Sequence, residues 1–455
     1  MGSAFVLFAF SGIFLYGLSW GSSSPLLRLS TGNTLLPILV GYSTYVVLVG
    51  FALSSNLCAP ASLASGVVDY APAGWGAIEV GVFGALLGAS LPFFVLSQTR
   101  PATVAGPSTV AGFVSLTAGL VFLSTNSLWL MFVAFEFLLL SALYMLLLTS
   151  KSERVRDAAL EMFLWTLAGS AGLLTGLGLA GSPVVGGSAP ARWGFLTGLC
   201  FVVGFGVKVP LWPATSWLLK AHVEASVEFS ILLSGYIVKV GVLGLYRTLA
   251  VAEAPSLNLL TGALAVVGLF DAGSRLPAQR DLKRVVALTT VIEMNWAVLA
   301  LSLGGAQQDS VAGYLCLAHC YTTTAEFFLV EILTKRFGTR DISYIGGVAI
   351  SAPLMWLLSM AAVLVTIGFP GTSLFWAKYV FFVGLVPTLP GLAVALAALF
   401  LVFLPIFFIR LWAMVWFGFR SESRLVLDLS LREVFVLSFA IGLGLLMGLM
   451  PGLVF

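Results

Sequence analysis

Charged residues are scarce in this sequence. Asp, Glu, Lys and Arg make up 9% of its 455 residues, whereas hydrophobic residues make up 60%. A typical soluble domain has about 25% charged residues, so this composition excludes an ordinary soluble protein and indicates a polytopic membrane protein. The net charge is only +3 and the basic residues are dispersed, which argues against nucleic acid as a partner.

Cysteine and histidine are also scarce. The four cysteines, Cys58, Cys200, Cys316 and Cys320, form no paired framework and resemble small core residues. Cys316, His319 and Cys320 share a helix face, yet no fourth ligand is in view, so we predict no metal site. The sequence has no cysteine cluster for an iron–sulfur centre and no glycine-rich nucleotide turn after a strand. We therefore expect this chain to bind no cofactor itself.

Long apolar runs dominate the sequence. Runs of about 20 residues can cross a bilayer as helices, and fourteen candidates are present. The first begins almost at Met1 without a basic region or a small-residue cleavage site, so we expect a retained helix rather than a signal peptide. The candidates lie at 3–20, 34–54, 79–97, 107–124, 127–148, 158–180, 193–221 (broken), 227–249, 257–273, 283–303, 311–334, 350–386 (broken), 389–415 and 432–454.

The basic residues alternate between the two sides of these spans. Of the 22 Lys and Arg residues, Lys208, Lys239 and Lys378 fall in the interior of spans, and the others lie in connections or at the span ends that adjoin them. Connections after odd-numbered spans hold 17 of the others, and connections after even-numbered spans hold only Arg192 and Arg247. The positive-inside rule therefore predicts that the odd connections face the matrix or cytoplasm and that both termini face the outer, proton-rich side.

Proline interrupts two spans. Pro210 and Pro213 break the seventh and Pro370 breaks the twelfth, with Pro210 and Pro370 160 residues apart. Proline breaks helices, and backbone freed at membrane depth must be satisfied within the protein or by water. The spacing fits two five-helix units of opposite orientation. The predicted divisions are helices 1–3 in 1–106, helices 4–8 in 107–250, helices 9–13 in 251–415 and helix 14 in 416–455.

Buried charge accompanies both breaks. Lys208 precedes the first break, Lys239 lies in the following span, and Lys378 follows the second break. A lysine at the centre of a membrane helix costs about 2.5–3.5 kcal/mol on insertion scales. Two interpretations stay open: broken helices beside buried charge serve ion transport, or the lysines snorkel to the membrane interface.

A single acid lies in the fifth span. Glu136 is nine residues into an otherwise apolar run, so we expect its partner to come from another helix, with Lys208 as the candidate. An opposite charge within about 4–6 Å stabilises the ionised form of each group, and such a pair would act as a switch. The alternative is a structural ion pair that fixes helix packing.

The segment VKVPLWPATSWLLKAHVEA at 207–225, followed by VKVG at 238–241, resembles subunit 4 of respiratory complex I (NADH:ubiquinone oxidoreductase), an antiporter-like membrane subunit. The KAHVEA element at 220–225 resembles subunit 4 rather than its two paralogues. The resemblance implies an all-α fold of about 14 transmembrane helices with two inverted five-helix repeats, each containing a broken helix. It also implies proton translocation.

The resemblance further implies which residues carry protons. It places a functional glutamate at Glu136 and puts both histidines of the chain, His222 and His319, on motif positions. The candidates for proton transfer are Glu136, Lys208, Lys239, His319, Glu293 and Lys378, with Lys220, His222, Glu224 and Glu326 as secondary candidates.

Two positions depart from the family pattern. Glu293 stands where the pattern has a histidine, and Lys378 stands where subunit 4 usually has a glutamate, although the two paralogues have lysine there. We interpret the two departures together: one acid and one base are kept in the same half-channel with their order reversed. This hypothesis requires that Glu293 and Lys378 lie close together.

The sequence thus predicts a proton-translocating subunit of NADH:ubiquinone reductase that performs no redox chemistry itself. NADH, FMN, iron–sulfur clusters and ubiquinone would be bound by other subunits. The resemblance implies other complex I membrane subunits as partners, including two flanking antiporter-like paralogues, and we also expect contact with membrane lipids. The expected location is the mitochondrial inner membrane, or alternatively a bacterial plasma membrane. Two other functions stay open: an Mrp-type cation/proton antiporter or membrane-hydrogenase subunit, and a non-pumping scaffold.

Overall fold

The computed structural model describes residues 76–97, 102–125, 127–180, 194–252, 254–347, 349–418 and 427–450. The predicted spans at 3–20 and 34–54, together with Cys58, lie outside these residues. Each of the other twelve predicted spans coincides with a helix or a broken pair of helices. The all-helical, multi-span architecture expected from the sequence is confirmed.

Within the described residues, eight α-helices lie between residue 76 and the end of the eighth span. The first proline break separates two of them, Phe195–Lys208 and Ser216–Glu224. A π-helical segment, Leu233–Ile237, interrupts the eighth span. The α-helices of this part are α1 (Ala77–Ser97), α2 (Ala102–Ser124), α3 (Leu128–Thr149), α4 (Glu153–Ala180), α5 (Phe195–Lys208), α6 (Ser216–Glu224), α7 (Val227–Leu232) and α8 (Val238–Ala252).

The remaining helices repeat this sequence of features. A second broken pair is followed by a span with its own π-helical segment, Ala398–Phe403. The α-helices of this part are α9 (Pro255–Arg275), α10 (Leu282–Leu303), α11 (Ala306–Phe337), α12 (Pro353–Ile367), α13 (Ser373–Leu385), α14 (Pro390–Ala397), α15 (Leu404–Phe417) and α16 (Leu431–Leu449); short 3-10 turns occur at Leu276–Ala278 and Ile342–Tyr344.

Nine of the described helices are long and apolar enough to cross a membrane. They differ sharply in burial. Of the most apolar stretch of each span, 94% of the residues are buried in both Val227–Leu249 and Leu282–Leu303, but only 28% in Pro390–Phe417. The eighth and tenth spans therefore form the centre of the bundle. The thirteenth span presents an apolar face that suits lipid or another membrane protein, because only there would that surface avoid water.

Side chains satisfy the backbone at the first break. The Trp217 indole nitrogen donates to the Val207 carbonyl at 3.0 Å, and Asn295 Nδ2 donates to the Pro210 carbonyl at 3.4 Å. The Leu211 amide bonds the Gly206 carbonyl at 2.9 Å. The freed groups are thus paired within the protein, as a break at membrane depth requires.

The second break uses glycine. Gly368 ends α12 in the left-handed conformation with φ of 73°, a region that glycine occupies without a Cβ clash. The Thr372 amide then bonds the Phe369 carbonyl at 3.0 Å just before α13 begins. Both breaks place a lysine within one or two helical turns, Lys208 before the first and Lys378 after the second.

The two π-helical segments are spaced like the two breaks. Their first residues, Leu233 and Ala398, are 165 positions apart (398 − 233), and Pro210 and Pro370 are 160 apart (370 − 210). A π-helical turn widens the helix and is often found at functional sites. In each half of the described chain, a broken span is therefore followed by a span with a widened turn.

Candidate functional site

Lys208 is the last residue of α5, and its side chain is 1% exposed. Its ammonium lies 5.1 Å from the centre of the Phe135 ring, a geometry in which the electron-rich face of the ring attracts the cation. Gly241 allows α8 to approach the end of α5 closely, because a Cβ at Gly241 would lie only 3.1 Å from Lys208 Cβ. Lys208 therefore points into the bundle rather than toward the interface.

Glu136 lies on α3, next to Phe135, but does not form the direct ion pair with Lys208 that the sequence suggested. Its Oε1 accepts a hydrogen bond from Ser170 Oγ of α4 at 2.5 Å. No ion pair between Glu136 and Lys208 exists within 4.0 Å in the described residues. The Lys208 ammonium instead faces the ring of Phe135, the residue before Glu136. Glu136 and Lys208 are therefore neighbours that do not contact each other.

Lys239 is fully buried on α8, directly after the first π-helical segment. Its Nζ donates to the Ser234 carbonyl and lies 3.0 Å from Nδ1 of His319 on α11. A charged lysine has no acceptor site, so His319 Nδ1 accepts here and the histidine proton is assigned to Nε2. In the described part of the chain, Nε2 has no hydrogen-bond partner. Lys239 and His319 form a buried proton donor and acceptor in contact.

A group of hydroxyls adjoins this contact through Ser234, whose carbonyl accepts from Lys239. Ser234 Oγ, in the π-helical segment, lies 2.8 Å from Thr290 Oγ1 on α10 and 2.9 Å from Thr323 Oγ1 on α11. Hydroxyls both donate and accept, so they can relay protons between partners. The sequence analysis missed these residues. Repeated threonines in the tenth and eleventh spans are a signal for Thr290 and Thr323. Ser234 in the eighth span has no comparable signal.

Glu293 of α10 and Lys378 of α13 form an ion pair, with 2.9 Å between Glu293 Oε1 and Lys378 Nζ and 7% of each side chain exposed. The proximity required by the exchange hypothesis is present. Glu293 Oε2 has no partner among the described residues. Both side chains line a cavity of about 20 Å³, which suffices for about one water molecule.

Glu326 adjoins the same cavity through two threonines. Its Oε1 accepts from Thr366 Oγ1 at 2.7 Å, and its Oε2 accepts from Thr289 Oγ1 at 3.4 Å. Thr289 and Thr366 also line the cavity beside Glu293 and Lys378. The structure thus brings this secondary candidate into the second charged site.

The other secondary candidates are divided between core and surface. His222 is fully buried and stacks on Phe327, with ring centres 4.7 Å apart; neither ring nitrogen has a partner within the described ranges. Lys220 has a side chain that is 58% exposed and pairs with Glu161. Glu224, the last residue of α6, is half-buried. The structure places only His222 of these three in the interior.

Lys283 is a buried lysine at the start of the predicted tenth span, where the sequence analysis counted it among the 17 basic residues of the odd-numbered connections. It lies in the first turn of α10, and its Nζ donates to the Ala225 carbonyl at 2.5 Å. Arg340 donates to the Val223 carbonyl nearby. Both cations bind carbonyls at the carboxyl end of α6, where the helix dipole favours positive charge. These contacts hold the second half of the broken span in place.

Comparison with known proteins adds a family match. The family described as NADH:quinone oxidoreductase/Mrp antiporter, transmembrane, matches residues 125–404. NADH-ubiquinone oxidoreductase chain 4 of Paramecium tetraurelia is 34% identical over 180 residues, covering 40% of this chain and 38% of the relative. NADH-quinone oxidoreductase subunit M of Rickettsia felis is 27% identical over 347 residues, covering 72% and 69%.

Solved structures share the fold. A chain of respiratory complex I from Thermus thermophilus with bound NADH superposes with a TM-score of 0.78 at 24% identity, covering 99% of this chain and 96% of that one. A chain of the Mrp complex from Dietzia sp. gives a TM-score of 0.78 at 15% identity, covering 99% and 95%. At these identities the likeness concerns the fold.

Proposed function

Because this chain belongs to the NADH:quinone oxidoreductase/Mrp antiporter transmembrane family, we propose that it is the subunit 4 type of antiporter-like subunit in respiratory complex I and that it translocates protons. One observation carries the proposal: three lysines inside the membrane spans, Lys208, Lys239 and Lys378, are all buried. Each lies beside a helix break or a π-helical segment and near an acid or a histidine.

The proposed path consists of two charged sites and their neighbours. Lys208, with Glu136 close by, lies next to α8, and Lys239 on α8 contacts His319. Glu293 and Lys378 form the second site. Ordered water and the hydroxyls of Ser234, Thr290 and Thr323 would join them into one polar line at mid-membrane depth.

Coulomb coupling would move the protonation state along this line. At low dielectric, two charges interact over several ångströms with energies of a few kcal/mol, so protonation of one lysine lowers the proton affinity of the next. A change beginning at Lys208 would alter Lys239, and a proton leaving Lys239 could pass to His319. The Glu293–Lys378 pair would open or close in response, because its stability depends on the charge beside it.

The remaining parts of the proposal concern the assembly. NADH, FMN, iron–sulfur clusters and ubiquinone would act in other subunits, and this chain would couple their redox energy to proton movement. Two antiporter-like paralogues would flank it in the membrane, with lipids covering the rest of its apolar surface. The chain would be divided into repeats at 107–250 and 251–415, and both termini would face the proton-rich side of a mitochondrial inner membrane.

A second candidate function is an Mrp-type cation/proton antiporter subunit, favoured by the fold shared with the Dietzia Mrp chain. Purification of the complex that contains this chain would separate the two functions. We expect a large assembly that oxidises NADH and reduces ubiquinone with proton uptake on one side of the membrane. Sodium-dependent proton exchange without quinone reduction would instead support the antiporter.

A further inference from the structure

A second and larger cavity lies at the opposite end of the bundle from the basic connections. It is lined by Tyr246, Asn258, Leu301, Asp309 and the turn Gly304–Gly305, with a volume of about 210 Å³. A water molecule occupies about 30 Å³ in the liquid, so several fit. The connections that form it follow even-numbered spans, which the positive-inside rule places on the outer side. We call this space the outer vestibule.

Two acids converge on the vestibule. Asp309, in the first turn of α11, lines it directly and has no ion-pair partner among the described residues. Glu79 of α1 is buried beside it; its Oε1 is 3.6 Å from Arg247 Nε, and its Oε2 has no partner in the described part of the chain. Glu79 adjoins Tyr246, because a Cβ placed at Gly76 would lie 3.0 Å from Glu79 Oε2 and 3.8 Å from the Tyr246 hydroxyl. Tyr246 in turn lines the vestibule with Asp309.

The side chain of Arg247 is held in place by backbone carbonyls, so it cannot move to neutralise both acids. Its guanidinium donates to the carbonyls of Phe122, Leu123 and Thr125 at the end of α2, at 2.7 to 2.9 Å. These bonds fix the arginine and leave its Nε toward Glu79. Glu79 thus has an immobilised cation beside it, whereas Asp309 borders a space large enough for water and remains available to bind and release a proton.

The vestibule approaches the charged sites along two helices. Tyr246 is seven residues after Lys239 on α8, a rise of about 10.5 Å, and positions i and i+7 lie on the same helix face. Leu301 is eight residues after Glu293 on α10, a rise of about 12 Å. Buried Val242 and Leu243 lie between Lys239 and Tyr246 on α8. The vestibule thus ends two helical turns from Lys239, behind an apolar layer.

We propose that the outer vestibule is the proton-release site of this chain, with Asp309 as the releasing carboxylate and Glu79 as the buried acid that sets its charge environment; this inference rests on the proposed proton translocation. In each cycle a proton arriving from the mid-membrane line binds the Asp309 carboxylate. It then leaves to vestibule water, and the carboxylate is regenerated without any redox change. Among the described residues, Tyr246 and Arg247 are the other titratable or charged groups that face the two acids.

Cysteine accessibility tests the vestibule independently of pumping. Asn258→Cys would be introduced into the intact complex with Cys58 and Cys200 replaced by serine, and a membrane-impermeant maleimide would be added to either side of sealed vesicles. We expect labelling from the outer side, and none for the matched Ala300→Cys control, because Ala300 is fully buried on α10. Labelling of Asn258→Cys only from the inner side, or not at all, would overturn the vestibule and leave the proposed function standing.

Asp309→Asn tests the releasing group. Asparagine keeps the shape of the side chain but cannot bind and release a proton. We therefore expect the rate of proton release to the outer medium to fall at least about tenfold, which is less than a positioned proton-transfer group usually contributes. Asp309→Glu should restore release with a changed dependence on outer pH. If the Asp309→Asn complex pumps normally while the Lys208→Met complex does not, then Asp309 is not the release site, but the proposed proton translocation is still supported. Normal pumping by both variants would reject the proposed function itself.

Discussion

Replacing Lys208 by methionine is expected to reduce the proton flux through this chain at least about a hundredfold, the lower end of what a positioned proton-transfer group contributes. Methionine nearly matches the volume of the lysine stem. The change also removes the desolvation cost of the buried ammonium, and among the described residues Lys208 has no direct ion pair that the change would break. The complex should therefore assemble with its redox activity present, and the measurement is the ratio of protons translocated to NADH oxidised in sealed vesicles.

The matched control is Lys335→Met, which removes a lysine that is 64% exposed and pairs with Glu331 one helical turn away. Exposed pairs of this kind contribute little, so the ratio should stay at the parent value. An unchanged ratio for Lys208→Met in an assembled complex would favour a non-pumping scaffold. A fall in the ratio for both variants would mean that general loss of lysine charge, rather than the buried position, is responsible.

The Glu293–Lys378 pair gives the largest expected effect on stability. Lys378→Met leaves the Glu293 carboxylate buried without its partner, and breaking a buried pair in this way costs about 3–5 kcal/mol. We expect a lower melting temperature and loss of pumping. The reversed double variant, Glu293→Lys with Lys378→Glu, restores one acid and one base in contact and should recover most of the lost stability, as measured by a double-mutant cycle.

The exposed pair Asp271–Arg275, at 3.0 Å on α9, serves as the control for the exchange. Its reversal should change stability by less than about 1 kcal/mol, because solvent screens it. If the reversed Glu293–Lys378 variant is as unstable as the sum of the two single variants, then the order of acid and base is fixed. The hypothesis that the two residues represent an exchange within one half-channel would then be wrong.

The membrane spans and the breaks could be predicted from sequence for a simple physical reason. A helix in lipid must be continuously apolar over about 20 residues, and proline interrupts it locally. Both signals lie within one short segment, so Pro210 and Pro370 marked the broken spans without knowledge of the fold. The single acid Glu136 and the lysines Lys208, Lys239 and Lys378 were visible because ionised groups are rare in such segments.

The partners of those groups could not be predicted, since they come from helices far apart in sequence. Ser170 is 34 residues from Glu136, and His319 is 80 residues from Lys239. The π-helical segment at Leu233–Ile237 has no proline and no other strong local signal. Lys283 was assigned to a connection because it lies at a helix start, yet it turns inward to bind the end of α6.

A map of ordered water in an experimental structure of the whole complex tests the central claim most directly. The account predicts a continuous chain of water and hydroxyl groups at mid-membrane depth from Glu136 and Lys208, past Lys239 and His319, to Glu293 and Lys378. A segment between Lys208 and Lys239, or between His319 and Glu293, that holds neither water nor a polar side chain would contradict it.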